Sequence, residues 1–405
     1  MSMSDRVQVL KATREPIAAG PLEVVERKGV GHPDTICDAA MEWVAVALTR
    51  AYREYCGRVL HFNADKGMLI AGAVECRLGG GRVVEPMRLV IGDRATFEWQ
   101  GRRLPIEDIA VGAVQEWFRG HLRQVNPLEH VRCQVELRPG SAELQSVVDR
   151  DGRPVANDTS AAVGYAPLTP TERLVLGLER HLNSQPFKKA FPETGEDVKV
   201  LAVRTGSDVH LTVAMPLLAS AIQSEAEYFD RKAAVLGAIR GFVKQEAGAR
   251  LSARVSFNTL DQPGEGAEGM YLTLLGTSAE AGDSGEVGRG NRVCGVISLG
   301  RPASAEAAAG KNPVAHVGKI YTVLAQVLAE RIHREVRGLR EVTVWLTSEI
   351  GRPVSSPHLA LVEVSLDRGV SLGLVAPAVR RHVRRALANL GPFCEALARG
   401  EYGIC

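Results

Sequence analysis

The sequence lacks several features that define particular classes of protein. Its seven cysteines are odd in number and scattered, with no Cys-x-x-Cys pair, which argues against a disulfide framework and a zinc ribbon. No stretch reaches the roughly 18 apolar residues of a membrane span. The 49 basic and 47 acidic side chains give a formal net charge of +2, which leaves no global field for a nucleic-acid backbone or an anionic membrane. The sequence therefore predicts a cytoplasmic protein with reduced thiols that binds neither nucleic acid nor membrane.

What is present is typical of a folded globular chain. Hydrophobic residues make up 45% and charged residues 24% of the 405 residues, a balance unlike that of disordered or coiled-coil proteins. A single domain usually has about 100–200 residues, so we expect more than one hydrophobic core.

Apolar periodicity predicts an α/β (α+β) protein. Short apolar or alternating runs predict strands at 67–76, 86–92, 131–137, 198–204, 208–215, 251–258, 270–276, 341–348 and 359–366. Helical spacing predicts helices at 38–52, 107–122, 171–183, 228–247, 317–337 and 377–390. Because strand pairs followed by helices occur about three times, we predict three sheet-plus-helix domains, at 20–125, 130–260 and 265–405, with approximate boundaries and segments that can interleave.

The first candidate site is the segment ERKGVGHPD at 26–34, directly before a predicted helix. Free backbone N–H groups and the positive end of the helix dipole favour phosphate there. His32 can donate to an anion and Asp34 can bind Mg²⁺. Plain helix capping by Pro33 and Asp34 is an equally good interpretation of this pattern.

Two further segments combine glycine with cationic side chains. Residues 277–292 carry four glycines within nine residues, with Arg289 and Arg292 nearby, and such loops let backbone amides approach phosphate closely. Residues 307–319 bring Lys311, His316 and Lys319 to another helix entrance, where cations can neutralise a leaving group. A solvated hairpin and an ordinary surface loop are the respective alternatives.

Five segments, taken together, resemble the archaeal-type S-adenosylmethionine synthetases, also called methionine adenosyltransferases. They run in order from about residue 20 to the C-terminus: GVGHPDTICD at 29–38, NDTSAAVGYAPLTPTE at 157–172, GEDVKV at 195–200, GTSAEAGDSGEVGRGNRVCG at 276–295 and AAAGKNPVAHVGKIY at 307–321. The resemblance implies a three-domain fold with pseudo-threefold symmetry. It also implies a homodimer with active sites at the subunit interface, and leaves a tetramer open.

The activity that the resemblance implies is synthesis of S-adenosylmethionine from ATP and L-methionine, followed by hydrolysis of the displaced tripolyphosphate to phosphate and pyrophosphate. By position in the motifs, His32 resembles the residue beside the departing oxygen, and Asp34 resembles a ligand of Mg²⁺. Asp65 resembles an acidic position associated with a monovalent cation, K⁺. The cations on the phosphates would be Lys199, Arg289 and Lys311. Contacts to ATP or methionine would come from Gly140, Ser141, Glu143, Asp158, Thr159, Ser160, Asp197, Asp283 and Lys319.

The chain departs from the family pattern at a few positions. It has Ala64 between Asn63 and Asp65 where we expect threonine, Ser284 and Glu286 in the glycine loop, and Cys294 in place of an asparagine. None of these changes removes a predicted cation, so we expect an active enzyme. A tripolyphosphatase and a silent regulatory paralogue are the alternative functions.

Overall fold

The computed structural model describes residues 7–140 and 155–405. Within them the fold is mixed α/β. The helices are α1 (Pro33–Cys56), α2 (Ile106–His121), α3 (Pro127–His130), α4 (Pro170–Leu182), α5 (Gln185–Ala190), α6 (Glu225–Ala247), α7 (Val317–Glu335), α8 (Leu372–Ala388) and α9 (Leu390–Ala398). The strands are β1 (Val7–Lys11), β2 (Leu22–Lys28), β3 (Phe62–Ile70), β4 (Ala73–Arg77), β5 (Gly80–Glu85), β6 (Met87–Ala95), β7 (Glu98–Trp99), β8 (Arg102–Arg103), β9 (Val131–Arg138), β10 (Ala161–Ala166), β11 (Lys199–Thr205), β12 (Asp208–Ala214), β13 (Leu217–Leu218), β14 (Ser252–Phe257), β15 (Leu272–Thr273), β16 (Gly285–Glu286), β17 (Ile297–Ser298), β18 (Leu339–Thr347) and β19 (Leu359–Leu366).

The longer strands of the described ranges form three sheets. Sheet I has the order β1-β19-β18-β10, sheet II the order β14-β12-β11-β2-β17, and sheet III the order β16-β3-β6-β9. Each of these sheets has one parallel pair at an edge, namely β1 with β19, β14 with β12, and β9 with β6, and its other pairs are antiparallel. Chain order and sheet membership do not coincide, because β2 lies in sheet II while the helix that follows it, α1, packs on sheet III.

Each sheet buries a face under helices. Helices α7 and α8 pack on sheet I, α4 and α6 on sheet II, and α1 and α2 on sheet III. Each assembly encloses its own hydrophobic core. On α1, for example, Ile36, Ala40, Val44 and Leu48 recur at every fourth position and are completely buried, which is the stripe expected of an amphipathic helix.

Most predicted strands are present, but one predicted strand is largely wrong. Residues 270–276 contain only the two-residue strand β15, because the backbone N–H groups of Leu274 and Leu275 donate to the Glu280 carboxylate (2.8 and 2.5 Å) and not to a neighbouring strand. The predicted strand 67–76 is divided between β3 and β4. In the part of the chain that is described, no helix combines the length and apolar character needed to cross a bilayer.

Candidate active site

The turn before α1 fits closely against the segment that leads into β11. A Cβ atom on Gly31 would overlap the backbone of Glu196 and Asp197, so only glycine permits this approach. His32 is the N-cap of α1, and its Nδ1 accepts a hydrogen bond from the Asp34 N–H (3.2 Å). Local sequence and packing together therefore place the turn that carries His32 against the segment that carries Asp197.

His32 is buried and neutral. Burial lowers the pKa of its imidazole to about 4; the Asp34 charge opposes this shift, while Lys28 and Lys199 add to it. Because Nδ1 already accepts a hydrogen bond, the single ring proton lies on Nε2. His32 is therefore a hydrogen-bond donor through Nε2 at neutral pH.

Lys28 is a cation that the sequence analysis did not assign. Its Nζ donates to Asp34 Oδ2 (2.8 Å) and to the carbonyl oxygen of Arg289 (2.7 Å). Burial opposes ionisation of Asp34, but hydrogen bonds from Lys28 and from the Glu286 N–H (3.0 Å) outweigh it and lower the pKa of the carboxyl. Lys28 thus connects the start of α1 to the glycine loop.

Lys199 lies next to this cluster and remains accessible. It is the first residue of β11 and pairs directly with Lys28 of β2. Glu26 lies 3.7 Å from each of the two ammonium groups. The Lys199 side chain is 43% exposed. Because Lys28 is also paired with Asp34, the accessible Lys199 is the cation of this row that an anion can reach at this edge of sheet II.

Asp197 is buried and accepts hydrogen bonds from the backbone N–H (2.8 Å) and the hydroxyl (2.5 Å) of Ser278. Burial raises its pKa to about 6, against the effect of these two bonds. Asp283 and Arg289, in contrast, are exposed, and the Asp283 carboxylate accepts from the Ser284 N–H (2.9 Å). Asp197 therefore anchors the loop from its inner side, and Asp283 and Arg289 face outward.

A second group of charges surrounds Lys311. Its buried ammonium contacts Asp65 Oδ2 (2.5 Å) and Glu306 Oε2 (3.2 Å), and Lys66 contacts the other oxygen of Asp65 (2.6 Å). Burial opposes ionisation of Asp65, but these two lysines outweigh it and lower the pKa of Asp65 to about 2. Close by, His316 caps α7 through Nδ1, which accepts from the Gly318 N–H (3.1 Å). Burial lowers the pKa of His316 to about 3, so both helix-capping histidines are neutral.

A cleft of about 700 Å³ brings several of the predicted residues together. Its lining includes Asp65, Thr159, Ser160, Arg289 and Lys311. The Ser160 N–H donates to Ser348 (2.8 Å), whereas its buried hydroxyl oxygen has no hydrogen-bond partner. This cleft combines three cations, Lys66, Arg289 and Lys311, with carboxylates and hydroxyl groups. Cations and hydroxyl groups are the donors that a polyphosphate site requires.

Three more predicted positions are not part of the lining of the cleft. Asp158 is half-buried beside it, and its carboxylate accepts from the Thr159 N–H (2.7 Å). Gly140 closely follows β9, where a Cβ atom would lie 2.7 Å from His61 Nδ1. Lys319 is fully buried inside the protein and contacts both oxygens of Glu42 (2.8 and 2.6 Å). Ser141 and Glu143 lie outside the described residues.

Asp34 and Asp65 are the candidate metal ligands. Among the described residues, no three histidine, cysteine or acidic side chains converge to form a complete metal cage. Both carboxylates are ionised, and each is already approached by a lysine ammonium. This arrangement fits Mg²⁺, which commonly takes only one or two carboxylates and completes its coordination with phosphate oxygens and water.

Comparison with known proteins gives a consistent result. Residues 5–401 match the family described as S-adenosylmethionine synthetase (AdoMet synthetase). The S-adenosylmethionine synthase of Pyrobaculum aerophilum is 41% identical over 404 residues, covering 98% of this chain and 100% of that protein. That of Caldivirga maquilingensis is 44% identical over 376 residues, 91% of each chain. A solved structure described as an unusual S-adenosylmethionine synthetase from Campylobacter jejuni is similar in fold, with a TM-score of 0.62, 16% identity and 95% of each chain covered.

Proposed function

Because the chain belongs to the S-adenosylmethionine synthetase family, we propose that it forms S-adenosylmethionine from ATP and L-methionine. The methionine sulfur forms a bond to ribose C5′ as the C5′–O bond to the triphosphate breaks. Water then cleaves the displaced tripolyphosphate to phosphate and pyrophosphate. The observation that carries this proposal is the gathering of Lys28, Lys199, Arg289 and Lys311 around one helix start and one cleft.

The site chemistry suits a reaction limited by its leaving group. A thioether sulfur is a neutral nucleophile with no proton to lose, so the reaction needs alignment and charge stabilisation more than a general base. His32, neutral and protonated at Nε2, donates to the departing oxygen. Lys199, Arg289 and Lys311 bind the phosphates through charge-assisted hydrogen bonds. These groups act most strongly as negative charge develops on the triphosphate, which is the condition for lowering the barrier.

Substrate contacts come from polar groups that line the cleft and from the exposed Asp283, which precedes the part of the loop that lines it. The unpartnered Ser160 hydroxyl and the neighbouring Thr159 donate to ATP, and the exposed carboxylate of Asp283 suits the methionine ammonium group. Asp158 supports the Thr159 backbone, and Asp197 holds Ser278 in place. Gly140, Ser141 and Glu143 belong to the proposed ATP segment. Lys319, paired with Glu42, acts by supporting the helix that follows Lys311.

The proposed cofactors are Mg²⁺ and K⁺. Bound Mg²⁺ neutralises phosphate charge as a Lewis acid. Asp34 would hold it, and Lys28 keeps this carboxylate ionised and oriented. Asp65, which the ammonium groups of Lys66 and Lys311 keep ionised, would hold K⁺.

The proposal includes a three-domain, pseudo-threefold architecture. It is supported by a repeated order of a helix, an antiparallel hairpin and a second helix: α1-β3-β6-α2, α4-β11-β12-α6 and α7-β18-β19-α8. In each repeat a further strand lies parallel to the second hairpin strand. We further propose a cytoplasmic homodimer with active sites between the subunits, and a tetramer as the larger alternative.

The decisive experiment is a chromatographic assay of S-adenosylmethionine and phosphate formed from ATP and L-methionine, with and without Mg²⁺ and K⁺. We expect product only when methionine and Mg²⁺ are both present. Phosphate release at full rate without methionine would instead identify a tripolyphosphatase. Absence of both products would identify a silent regulatory subunit and contradict the proposal.

A further inference from the structure

We propose that Asp38 is a positioning residue that sets the backbone path of residues 285–291 of the glycine loop. It thereby orients Arg289 toward the triphosphate. The inference rests on the function proposed above, in which Arg289 binds phosphate. Asp38 belongs to none of the binding roles assigned so far. It acts through the backbone of the loop on either side of Arg289.

The contacts of Asp38 are almost entirely with this loop. Its Oδ1 accepts from the Gly288 N–H (2.8 Å), and its Oδ2 lies against the backbone of Gly290. A Cβ atom on Gly290 would overlap Asp38 Oδ2. Gly288 has a φ of +87°, which glycine adopts without strain. Gly288 therefore supplies a backbone conformation that other residues rarely adopt, and Gly290 leaves room for the Asp38 carboxylate.

Helix geometry explains why an acid at this position reaches the loop. Asp34 and Asp38 are four residues apart on α1, so they lie on one face about 6 Å apart along the axis. Alternate residues of an extended chain are about 6.6 Å apart. Asp34 accepts from the Glu286 N–H and Asp38 from the Gly288 N–H. The spacing of the two carboxylates on the helix thus matches the spacing of alternate N–H groups in the loop.

Arg289 lies between the two glycines that Asp38 holds. Its own carbonyl oxygen accepts from Lys28 Nζ (2.7 Å), so its backbone is fixed from both directions. No ion pair joins its guanidinium to a carboxylate of the described residues, and the residue lines the cleft with Lys311. A cation whose backbone is fixed before the substrate arrives loses less conformational entropy on binding.

The environment of Asp38 indicates that it is retained at a cost to stability. The residue is buried, and no lysine or arginine of the described residues forms an ion pair with it. Burial raises its pKa to about 7, while the glycine N–H groups and the more distant Arg292 lower it only in part. A buried carboxylate without an ion pair is expensive to fold, which is consistent with a role in shaping the site.

The test is a double-mutant cycle of Asp38→Asn and Arg289→Ala in the full-length protein with Mg²⁺. Two kinds of quantity are measured: the dissociation constant for tripolyphosphate binding, by calorimetry with a non-hydrolysable imido analogue because the protein is proposed to cleave tripolyphosphate itself, and kcat and KM for adenosyl transfer. We expect Asp38→Asn to weaken tripolyphosphate binding and lower kcat by about tenfold each, with the KM for methionine unchanged. In the Arg289→Ala background the same substitution should change either quantity less than twofold. If the fold-changes of the two single variants instead multiply in the double variant, the inference is overturned.

Asp261→Asn is the matched control. Asp261 is also a buried carboxylate that accepts a backbone N–H, from Tyr271 (3.2 Å), but it lies in the segment that follows β14. It should lower the melting temperature without changing tripolyphosphate binding. If Arg289→Ala itself leaves binding unchanged, the role of Arg289 and the inference both fail. If Arg289→Ala weakens binding but the cycle is multiplicative, only the inference fails.

A second approach keeps the inference falsifiable should Asp38→Asn not fold. Hydrogen exchange of the wild-type protein should show the Gly288 and Gly290 amides to be protected relative to the Ser284 amide. Gly290→Ala, whose Cβ atom would separate the Asp38 carboxylate from the loop, should weaken tripolyphosphate binding as Asp38→Asn does. Rapid exchange of both glycine amides, or normal binding by Gly290→Ala, would contradict the inference.

Discussion

At the scale of single residues, two of the cations that line the cleft, Arg289 and Lys311, differ in their contacts with carboxylates. Arg289 is exposed and has no ion pair with a described carboxylate, whereas Lys311 is buried against Asp65 and Glu306. Arg289→Ala should lower the rate of adenosyl transfer by roughly 10²–10³-fold without changing the melting temperature. Lys311→Ala should lower both the rate and the melting temperature, because it removes the buried ammonium that contacts Asp65 and Glu306. Single-turnover kinetics and thermal denaturation measure the two effects.

Arg82→Ala provides the control for these substitutions. Arg82 forms an exposed ion pair with Glu75 (2.7 Å) on the hairpin β4-β5, and such pairs contribute little to stability. We expect normal kinetics and a normal melting temperature. Wild-type turnover by Arg289→Ala would remove that residue from the phosphate site.

His32 caps α1 and is also proposed to act in catalysis, and two variants separate the two roles. His32→Ala removes the acceptor of the Asp34 N–H and should destabilise the protein by about 1 kcal/mol as well as slow transfer. His32→Asn retains a capping acceptor, since asparagine is a favoured N-cap residue, and should slow transfer with little loss of stability. Urea unfolding and single-turnover rates test this. Equal activity of His32→Asn and the wild type would show that capping is the only role of His32.

At the scale of elements, α1 and α7 are joined by a buried ion pair. Glu42 on α1 contacts Lys319 on α7 and also accepts from the Gly310 N–H (3.2 Å), directly before Lys311. Lys319→Met should lower the free energy of unfolding by about 3–5 kcal/mol, because it leaves Glu42 buried and unpaired. Adding Glu42→Gln should recover part of this loss. Denaturant unfolding of Lys319→Met, of Glu42→Gln and of the double variant measures these free energies. Additive losses of the two single variants would contradict the pairing.

The elements that sequence patterns missed have identifiable physical causes. Strand β2 does not look amphipathic because its charged residues are buried: Glu23 pairs with Arg204 (3.0 Å), and Arg27 with Glu179 (2.5 Å). The partners lie far away in the sequence, so no local pattern indicates them. The same holds for Lys28, Asp38 and Glu42, which look like ordinary polar residues until the loop and α7 pack against α1.

The site residues that the sequence did indicate share a different property. His32, Asp34, Arg289 and Lys311 stand in contiguous glycine-containing segments at or near helix starts, where local chemistry alone suggests anion binding. Which of these segments meet in space depends on sheet order, which residue spacing does not encode. The cleft between 65–68, 159–161 and 286–289 is therefore visible only in the folded chain.

At the scale of the whole molecule, buried acids make stability depend on pH. Burial raises the pKa of Glu280 to about 7, against the two N–H groups that it accepts. Since the pKa of this carboxyl in the unfolded chain is about 4.5, the folded state binds the proton more tightly. Protonation of Glu280 therefore stabilises the folded state, fully below pH 4.5, and this contribution is lost as pH rises through 7. Between pH 5 and pH 8, the free energy of unfolding of Glu280→Gln should rise by about 1–3 kcal/mol relative to that of the wild type. Thermal denaturation across this range measures the change, with Glu75→Gln as the control for an exposed acid. A difference between Glu280→Gln and the wild type that does not depend on pH would contradict this prediction.

The interleaved sheets also determine when the protein can fold during its synthesis. Sheet I needs β1 and β19, in which Val7 pairs with Ala360, so its first strand leaves the ribosome long before its partner exists. In sheet II, β2 likewise stays unpaired until β11 has been synthesised. Contacts between residues so distant in sequence slow folding and leave strand edges unpaired meanwhile. The nascent chain is therefore most exposed to aggregation just before its last strand emerges, and that is the stage at which a chaperone would matter most.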